Sequence, residues 1–318
     1  MSPRILVTGA GGFIGGHVVA ALGESQDVPP SRIRLLLRDP GKLPPGGGPG
    51  AGAPAADVVR ADLADPASLR GICDGIDVVL HCASHIGDDD HRTETVNDHG
   101  TRALVEEATR AGASRVVYVS TAAVYGRGPF TAALPGRLPL APVSPTSRSR
   151  AAAERHVLDA GGVVLRPHLV LGTGDRWVVP GLVRLLGLLS AGLKGCTARH
   201  SMVDVRALGR AVVAAGLSDR DLAGVHHVNH PDPVDCSELL DTLAHRLGLR
   251  LPGAPLDIDE ARTRLAGQPR ALHHLGMLAV DHWFADDGFW GGVGADPGAG
   301  YARSLAEHAL WYRQFVGR

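Results

Sequence analysis

The chain has 318 residues, 44% of them hydrophobic, with a formal net charge of −1 and an isoelectric point near 7.0. That length supports one large domain, or a main domain with a smaller companion. The neutral balance argues against a nucleic-acid partner, because counterion-driven binding needs a basic face, and no apolar run reaches the length of a bilayer span.

The first half alternates short apolar runs with helical patterns. Residues 4–8, 32–37, 57–60, 77–82, 115–120 and 162–166 read as strands. Most are continuous β-branched or leucine runs, which suit a sheet covered on both faces. Between them, residues 15–22, 66–72, 94–111 and 148–158 read as helices. This alternation predicts parallel βαβ units, hence an α/β protein built on a doubly wound parallel sheet. Residues 41–56 carry a Pro-Pro-Gly-Gly-Gly-Pro-Gly run and read as a flexible loop after the second strand. Beyond about residue 170 the pattern loosens. Residues 204–215 and 237–247 look helical, with Ser237 the expected N-cap, and residues 225–229 look like a short strand. The last stretch gathers Trp283, Phe284, Phe289, Trp290, Trp311 and Tyr312.

The start of the chain has no charged-then-apolar leader, so a soluble cytoplasmic protein is expected. Cys73, Cys82, Cys196 and Cys236 show neither a CxxC pair nor zinc-like spacing with histidine. They are expected to be buried free thiols. The stretch from His85 to His91 holds Asp88, Asp89 and Asp90 but reads as an acidic solvated loop, since a hard cation needs more oxygen ligands around it. No metal is expected.

Thr8-Gly9-Ala10-Gly11-Gly12-Phe13-Ile14-Gly15 joins the first strand to the first helix. In that context the glycines have distinct tasks. Gly9 permits the tight turn, Gly12 lets backbone approach a pyrophosphate, and Gly15 lets the helix pack close to the sheet. The helix N-terminus then offers free N–H groups, Phe13 and Ile14 among them, to the anion. The second strand ends at Arg38-Asp39-Pro40. A guanidinium there suits the 2′-phosphate of NADP(H) through paired, charge-assisted bonds. The alternative is a solvated Arg38, with Asp39 on the ribose of NAD.

These residues resemble the extended short-chain dehydrogenase/reductases, the NAD-dependent epimerase/dehydratase family, which uses TGxxGxxG. Further marks run to about residue 240. Asp62-Leu63 is similar to the element that meets the adenine. His81-Cys82-Ala83-Ser84 resembles the segment under the ribose, and Asn97-Asp98-His99-Gly100-Thr101 resembles N-x-x-G-T. Ser120 to Gly126 resembles S-[ST]-x-x-V-Y-G, and Arg166-Pro167, followed by His168 and Gly172, resembles R-P-x-x-[VL]-x-G. The resemblance implies a Rossmann-type dinucleotide domain over residues 1–175 plus roughly 200–232. It implies a smaller C-terminal substrate-binding domain over 176–199 plus 233–318, in a monomer or homodimer. It places Gly9, Gly12, Phe13, Ile14, Gly15, Arg38, Asp62, Leu63, Cys82, Ala83, Ser84, Pro167 and His168 against the cofactor, expected to be NADPH.

The same resemblance exposes a departure. The family catalyses with Ser/Thr and Y-x-x-x-K. Thr121 matches the first position, but Ser144-Pro145-Thr146-Ser147-Arg148-Ser149-Arg150 puts Thr146 in place of the tyrosine and Arg150 in place of the lysine. A phenol has a pKa of about 10, and an alkyl alcohol lies near water's value of about 15.7. Losing roughly 5 units of acidity removes up to ~7 kcal/mol of driving force for proton transfer. Arg150 stays protonated and cannot relay a proton, though it can still bond ribose hydroxyls and supply positive charge. Three routes stay open. The substrate or water supplies the proton; a histidine such as His85 or His168 replaces the tyrosine; or the protein only binds NADP(H). The Thr-x-x-x-Arg replacement is similar to atypical ketoreductases of secondary metabolism that act on aromatic polyketides of the angucyclinone type. That resemblance implies an NADPH-dependent ketoreductase, with nucleotide-sugar epimerase or dehydratase chemistry as the alternative. The C-terminal aromatics suit either a flat-ligand wall or ordinary core packing.

Overall fold

The computed structural model describes residues 2–39, 41 and 56–317. The glycine-rich loop assigned to residues 41–56 therefore lies almost wholly outside the described residues, as does Pro40. The chain runs β1 (Ile5–Thr8), α1 (Phe13–Glu24), β2 (Ile33–Leu37), β3 (Asp57–Arg60) and β4 (Val78–His81). Next comes a continuous helical stretch of α2 (Asp90–Thr93), a wider π-type segment over Glu94–His99, and α3 (Gly100–Arg110). β5 (Arg115–Val119), β6 (Phe130–Ala133), α4 (Pro145–Asp159), β7 (Val163–Arg166) and β8 (Leu169–Leu171) follow. The second half holds α5 (Val178–Leu189), β9 (Arg199–His200), β10 (Met202–Asp204), α6 (Val205–Leu217), β11 (Gly224–His227), β12 (Val234–Asp235) and α7 (Cys236–Leu247). It closes with α8 (Ile258–Arg264), α9 (Pro269–Leu278), β13 (His282–Phe284), α10 (Phe289–Val293) and α11 (Tyr301–Val316).

Seven strands form one parallel sheet in the order β11-β7-β5-β4-β1-β2-β3. The order reverses direction beside β1, which creates the crevice at the strand C-termini where ligands of such sheets sit. Ile5, Leu6 and Val7 are fully buried, and so are Val79 and Leu80, because helices cover both faces. On one face α1 and α6 pack through Val18, Leu22, Leu208 and Val212; on the other, α3 and α4 pack through Leu104, Ala108 and Val157. A separate core joins α5, α7, α8, α9 and α11 through Leu186, Leu240, Leu243, Leu275 and Leu305. Between the two cores a four-stranded sheet runs β12-β9-β13-β6.

Several local expectations change. The 66–72 helix is only a 3-10 turn over Pro66–Leu69, capped by Asp65 and halted by Gly71, which adopts φ +76. Asp235, not Ser237, occupies the N-cap of α7; the Ser237 hydroxyl instead donates to the Cys196 carbonyl at 2.9 Å. Cys196 and Cys236 are not free thiols: they are joined as a disulfide, because the strand pairing of β9 with β12 brings their backbones side by side. Cys73 and Cys82 remain unpaired, and burial pushes each thiol up to about 12. The C-terminal aromatics are mostly core. Trp290 is buried and donates its indole N–H to the Asn229 carbonyl at 2.8 Å, and Phe284, Phe289 and Tyr312 are buried with it.

Candidate active site

The turn after β1 has the shape of an anion cradle. Gly12 N–H donates to the Gly9 carbonyl at 2.8 Å, and Gly9 sits at φ +72. A Cβ on Gly9 would stand 2.6 Å from the Ala83 nitrogen, and one on Gly15 only 2.1 Å from the Gly9 oxygen. No side chain caps α1 at Gly12, so the first N–H groups of the helix, those of Phe13 and Ile14 included, face the crevice without a competing acceptor. This combination fits a pyrophosphate: room without side chains, and donors without partners.

Polar side chains brace the floor. Thr8 Oγ1 bonds His81 Nδ1 at 2.6 Å and accepts from Ala83 N–H at 3.3 Å, and His81 Nε2 meets Thr101 Oγ1 at 2.8 Å. Gly100 is required by close packing, since a Cβ there would lie 2.6 Å from the Leu63 carbonyl oxygen. Asp62 accepts from Ala64 N–H at 3.0 Å, which holds the turn after β3. Asn97 is a hub that sequence reasoning noted only as a mark. It accepts from His85 N–H at 2.7 Å and from Ser84 Oγ at 3.2 Å, and donates to the His85 carbonyl at 2.9 Å and Ser149 Oγ at 3.0 Å. It thereby fixes the loop after β4 against α4. Burial, then the charges of Arg92 and Arg38, lower the proton affinity of His85, and Arg38 directly follows the last residue of β2, at the C-terminal edge of the sheet.

The catalytic candidates come together at the N-terminus of α4, but not in the roles the motif positions imply. Thr146 Oγ1 donates to the Gly87 carbonyl at 3.1 Å and accepts from Gly87 N–H at 3.2 Å. Its hydroxyl is thus spent on holding the post-β4 loop. Arg150 is buried and donates through Nη2 to the Val119 carbonyl, while its Nε has no partner among the described residues. That Nε is itself enclosed, and the guanidinium carbon lies 6.0 Å from the centre of the Tyr118 ring. Thr121 is partly exposed and accepts from Ala123 N–H at 3.2 Å, so it caps the short turn after β5. The Pro167 carbonyl accepts from Ala122 N–H at 2.8 Å, and Asn229 Oδ1 accepts from His168 N–H at 2.8 Å.

No phenol is exposed at this place, although the buried Tyr118 ring lies 6.0 Å from the Arg150 guanidinium. The chain has four tyrosines, and Tyr118, Tyr125, Tyr301 and Tyr312 are all buried. Tyr125 belongs to a buried chain of bonds: its hydroxyl meets His227 Nε2 at 2.8 Å and Arg166 Nη1 at 2.7 Å. Arg166 pairs with Glu154 through Nε at 2.9 Å, and Glu154 accepts from Ser120 Oγ. Burial raises the Tyr125 phenol above its ordinary value.

Next to this end of β7 opens a cavity of about 220 Å³, lined by His168, Leu169, Trp177, Val178, Leu182, His200, His274, Met277 and Leu278. Its wall is mainly apolar. The tryptophan on it is Trp177, which is 63% exposed and lies outside the aromatic tail singled out in the sequence. The stretch from His85 to His91, expected as an acidic loop, contributes to no three-ligand group among the described residues. Glu94, Asp98 and His99 do approach one another, but Asp98 already bonds His156 at 2.6 Å.

Residues 5–229 match the family described as NAD dependent epimerase/dehydratase. The chain belongs to that family. Among curated relatives, it is 27% identical over 325 residues to a 3 beta-hydroxysteroid dehydrogenase/Delta 5→4-isomerase of Mycobacterium tuberculosis, covering 90% of this chain and 82% of the relative. It is 33% identical to a dTDP-glucose 4,6-dehydratase of Streptomyces niveus, covering 90% of this chain and 94% of the relative. Among solved structures, the Bordetella bronchiseptica enzyme WbmH in complex with NAD+ superposes with a TM-score of 0.77 at 21% identity, covering 99% and 100% of the two chains. Within this epimerase/dehydratase family member, then, the cradle is kept and the usual tyrosine and lysine are replaced.

Proposed function

We propose that the protein is an NADPH-dependent ketoreductase of secondary metabolism that reduces a ketone on a polycyclic aromatic polyketide, angucyclinone-like in shape. The observation that carries this reading is the pairing of an apolar cavity with a crevice that exposes no protein phenol. Epimerases and dehydratases must first remove a proton from a sugar hydroxyl, and a sugar nucleotide needs many polar partners; this site has no exposed phenol, and its cavity wall is mainly apolar. The names of several relatives favour that second reading, but the hydroxysteroid relative is named for a polycyclic, apolar substrate. The division into dinucleotide-side residues 1–175 with about 200–232, and substrate-side residues 176–199 with 233–318, belongs to the same proposal.

Reduced nicotinamide, when bound, supplies hydride to the ketone carbon. The chain's own task is then positioning and electrostatics. Arg150 places positive charge beneath the ribose and near the developing alkoxide. Thr146 keeps the loop at Gly87 over the crevice and excludes water. The proton comes from a hydroxyl beside the ketone on the substrate itself, or from water, and a carbonyl already bonded to that hydroxyl is polarised before hydride arrives.

Loss of absorbance at the nicotinamide band, on mixing protein, NADPH and a polycyclic aromatic ketone, tests the assignment. Wild type is expected to turn over, and Thr146→Ala to keep activity within about tenfold, since its hydroxyl supports a loop and gives no proton. No turnover on any such ketone, or a loss of several orders of magnitude in Thr146→Ala, refutes the reading. Arg38→Ala is expected to weaken NADPH binding by roughly 100-fold and NADH binding by only about two- to threefold, since paired bonds to a phosphate are each worth about 1.5–3 kcal/mol. Equal weakening of the two coenzymes in a binding titration removes Arg38 from the 2′-phosphate.

A further inference from the structure

His168 projects from the C-terminal end of β7 onto the wall of the 220 Å³ cavity. The rest of the lining is Leu169, Trp177, Val178, Leu182, Met277 and Leu278, with the imidazoles of His200 and His274. Of those two, His200 already bonds the Leu278 carbonyl at 3.1 Å through Nε2, and His274 is exposed beside His273. Among the described residues no group bonds either ring nitrogen of His168; its one hydrogen bond uses the backbone N–H.

The ring plane is nonetheless fixed, by stacking. His168 lies parallel to His282 at 5.6 Å and 8°, and His282 lies parallel to His200 at 6.2 Å and 10°. The stack follows from the sheet: His282 on β13 and His200 on β9 are register partners. Phe284, two residues along β13, packs across His168 at 5.6 Å and 65°. His282 is held in turn, since its Nδ1 meets the Val280 carbonyl at 3.0 Å. Burial, then the neighbouring imidazoles of His282 and His200, keep His168 well below the usual imidazole range, hence neutral. A neutral imidazole has one donor and one acceptor. A preset ring with both nitrogens spare, in an apolar cavity larger than the roughly 150 Å³ that accepts benzene, matches one ligand chemistry. That ligand is an uncharged flat ring system carrying a hydroxyl that can meet one ring nitrogen.

We propose that His168 is a specificity-determining residue of this cavity, hydrogen-bonding through one ring nitrogen to a hydroxyl of an uncharged aromatic ligand. The identity of that ligand as substrate rests on the ketoreductase reading; the binding itself does not. A ligand lacking the hydroxyl leaves the imidazole unpaired, which is how a polar group in an apolar site discriminates.

Trp177 on the cavity wall supplies the reporter. Tryptophan fluorescence is titrated with 2-hydroxyanthraquinone, whose hydroxyl is free of the carbonyl, and with anthraquinone, in wild type and in His168→Phe, which keeps a flat ring against His282 but no nitrogen. Wild type is expected to bind the hydroxylated compound about tenfold more tightly than the parent, and His168→Phe to bind both alike. His168→Gln, which retains a donor and an acceptor, is expected to keep part of the preference and guards against a folding defect in the phenylalanine variant, as does a melting temperature within about 2 °C of wild type. Retention of the tenfold preference in His168→Phe overturns the proposal, and so does a wild type that binds neither compound or both equally. The NADPH turnover assay on the same wild-type sample separates the two ideas. A His168-dependent preference without turnover refutes the ketoreductase reading alone, and turnover without the preference refutes the role of His168 alone.

Discussion

Acidification from pH 7 to pH 5 is expected to lower the melting temperature by at least about 10 °C. Three fully buried histidines carry this expectation. His81 is lowered to about 3 by burial and then by the charge of Arg150, and its ring is wedged between Thr8 and Thr101. His200 is lowered to about 4 by burial and by His282, although its bond to the Leu278 carbonyl works the other way. His227 is lowered to about 4 by burial and then by Arg166. In each case the unfolded chain takes up a proton near pH 6.5 while the folded protein refuses it until far lower. The stabilisation is therefore complete above about pH 6.5 and lost as pH falls toward 4 and 3. At pH 5 each group has given up about 2 kcal/mol, so three remove about 6 kcal/mol, comparable to the whole stability of an ordinary domain. A thermal melt across a buffer series checks this, and an unchanged midpoint from pH 7 to pH 5 contradicts it.

Glu154→Leu is expected to cost about 3–5 kcal/mol, seen as a drop in melting temperature on the order of 10 °C. Arg166 and Glu154 are 5% and 1% exposed, and their contact at 2.5 Å joins α4 to β7 beneath the crevice. Removing the carboxylate leaves a guanidinium with no counter-charge in the interior, with Tyr125 and its ring, 4.8 Å from the guanidinium carbon, as the remaining support. The cost comes from the orphaned charge more than from the lost attraction. The double variant Glu154→Leu with Arg166→Leu is therefore expected to melt above either single variant. A double variant less stable than both singles contradicts this account, because it would mean that the pair itself supplies the stability.

The sheet was legible in the sequence because continuous β-branched and leucine runs have few alternatives to a strand covered on both faces. Residues 57–60 match β3, and Val163 to Arg166 fall within the expected run. The glycine cradle was legible for a similar reason: strand, turn and helix each restrict the residues between them. The partners of the site residues were not. That Thr146 bonds Gly87 depends on where a loop 59 residues away in sequence comes to rest. The histidine stack depends on β9 and β13, each too short to announce itself as a strand, meeting the end of β7. The cysteine expectation failed likewise, since no spacing rule links positions brought together only by the pairing of β9 and β12. The aromatic tail drew attention by composition, yet most of it fills space, while the single outlying tryptophan reaches the cavity.

The late arrival of α6 and β11 has a consequence for how this protein can be cut or recombined. The sheet begun at Ile5 is completed only at His227, and the helix that covers α1 is supplied after the chain has already visited the other core. A fragment ending near residue 175 would lack an outer strand and leave Val18 and Leu22 facing water. Neither half is a cassette. New ligand preferences in such an architecture must arise by changing side chains around a fixed thread, and not by exchanging one module for another.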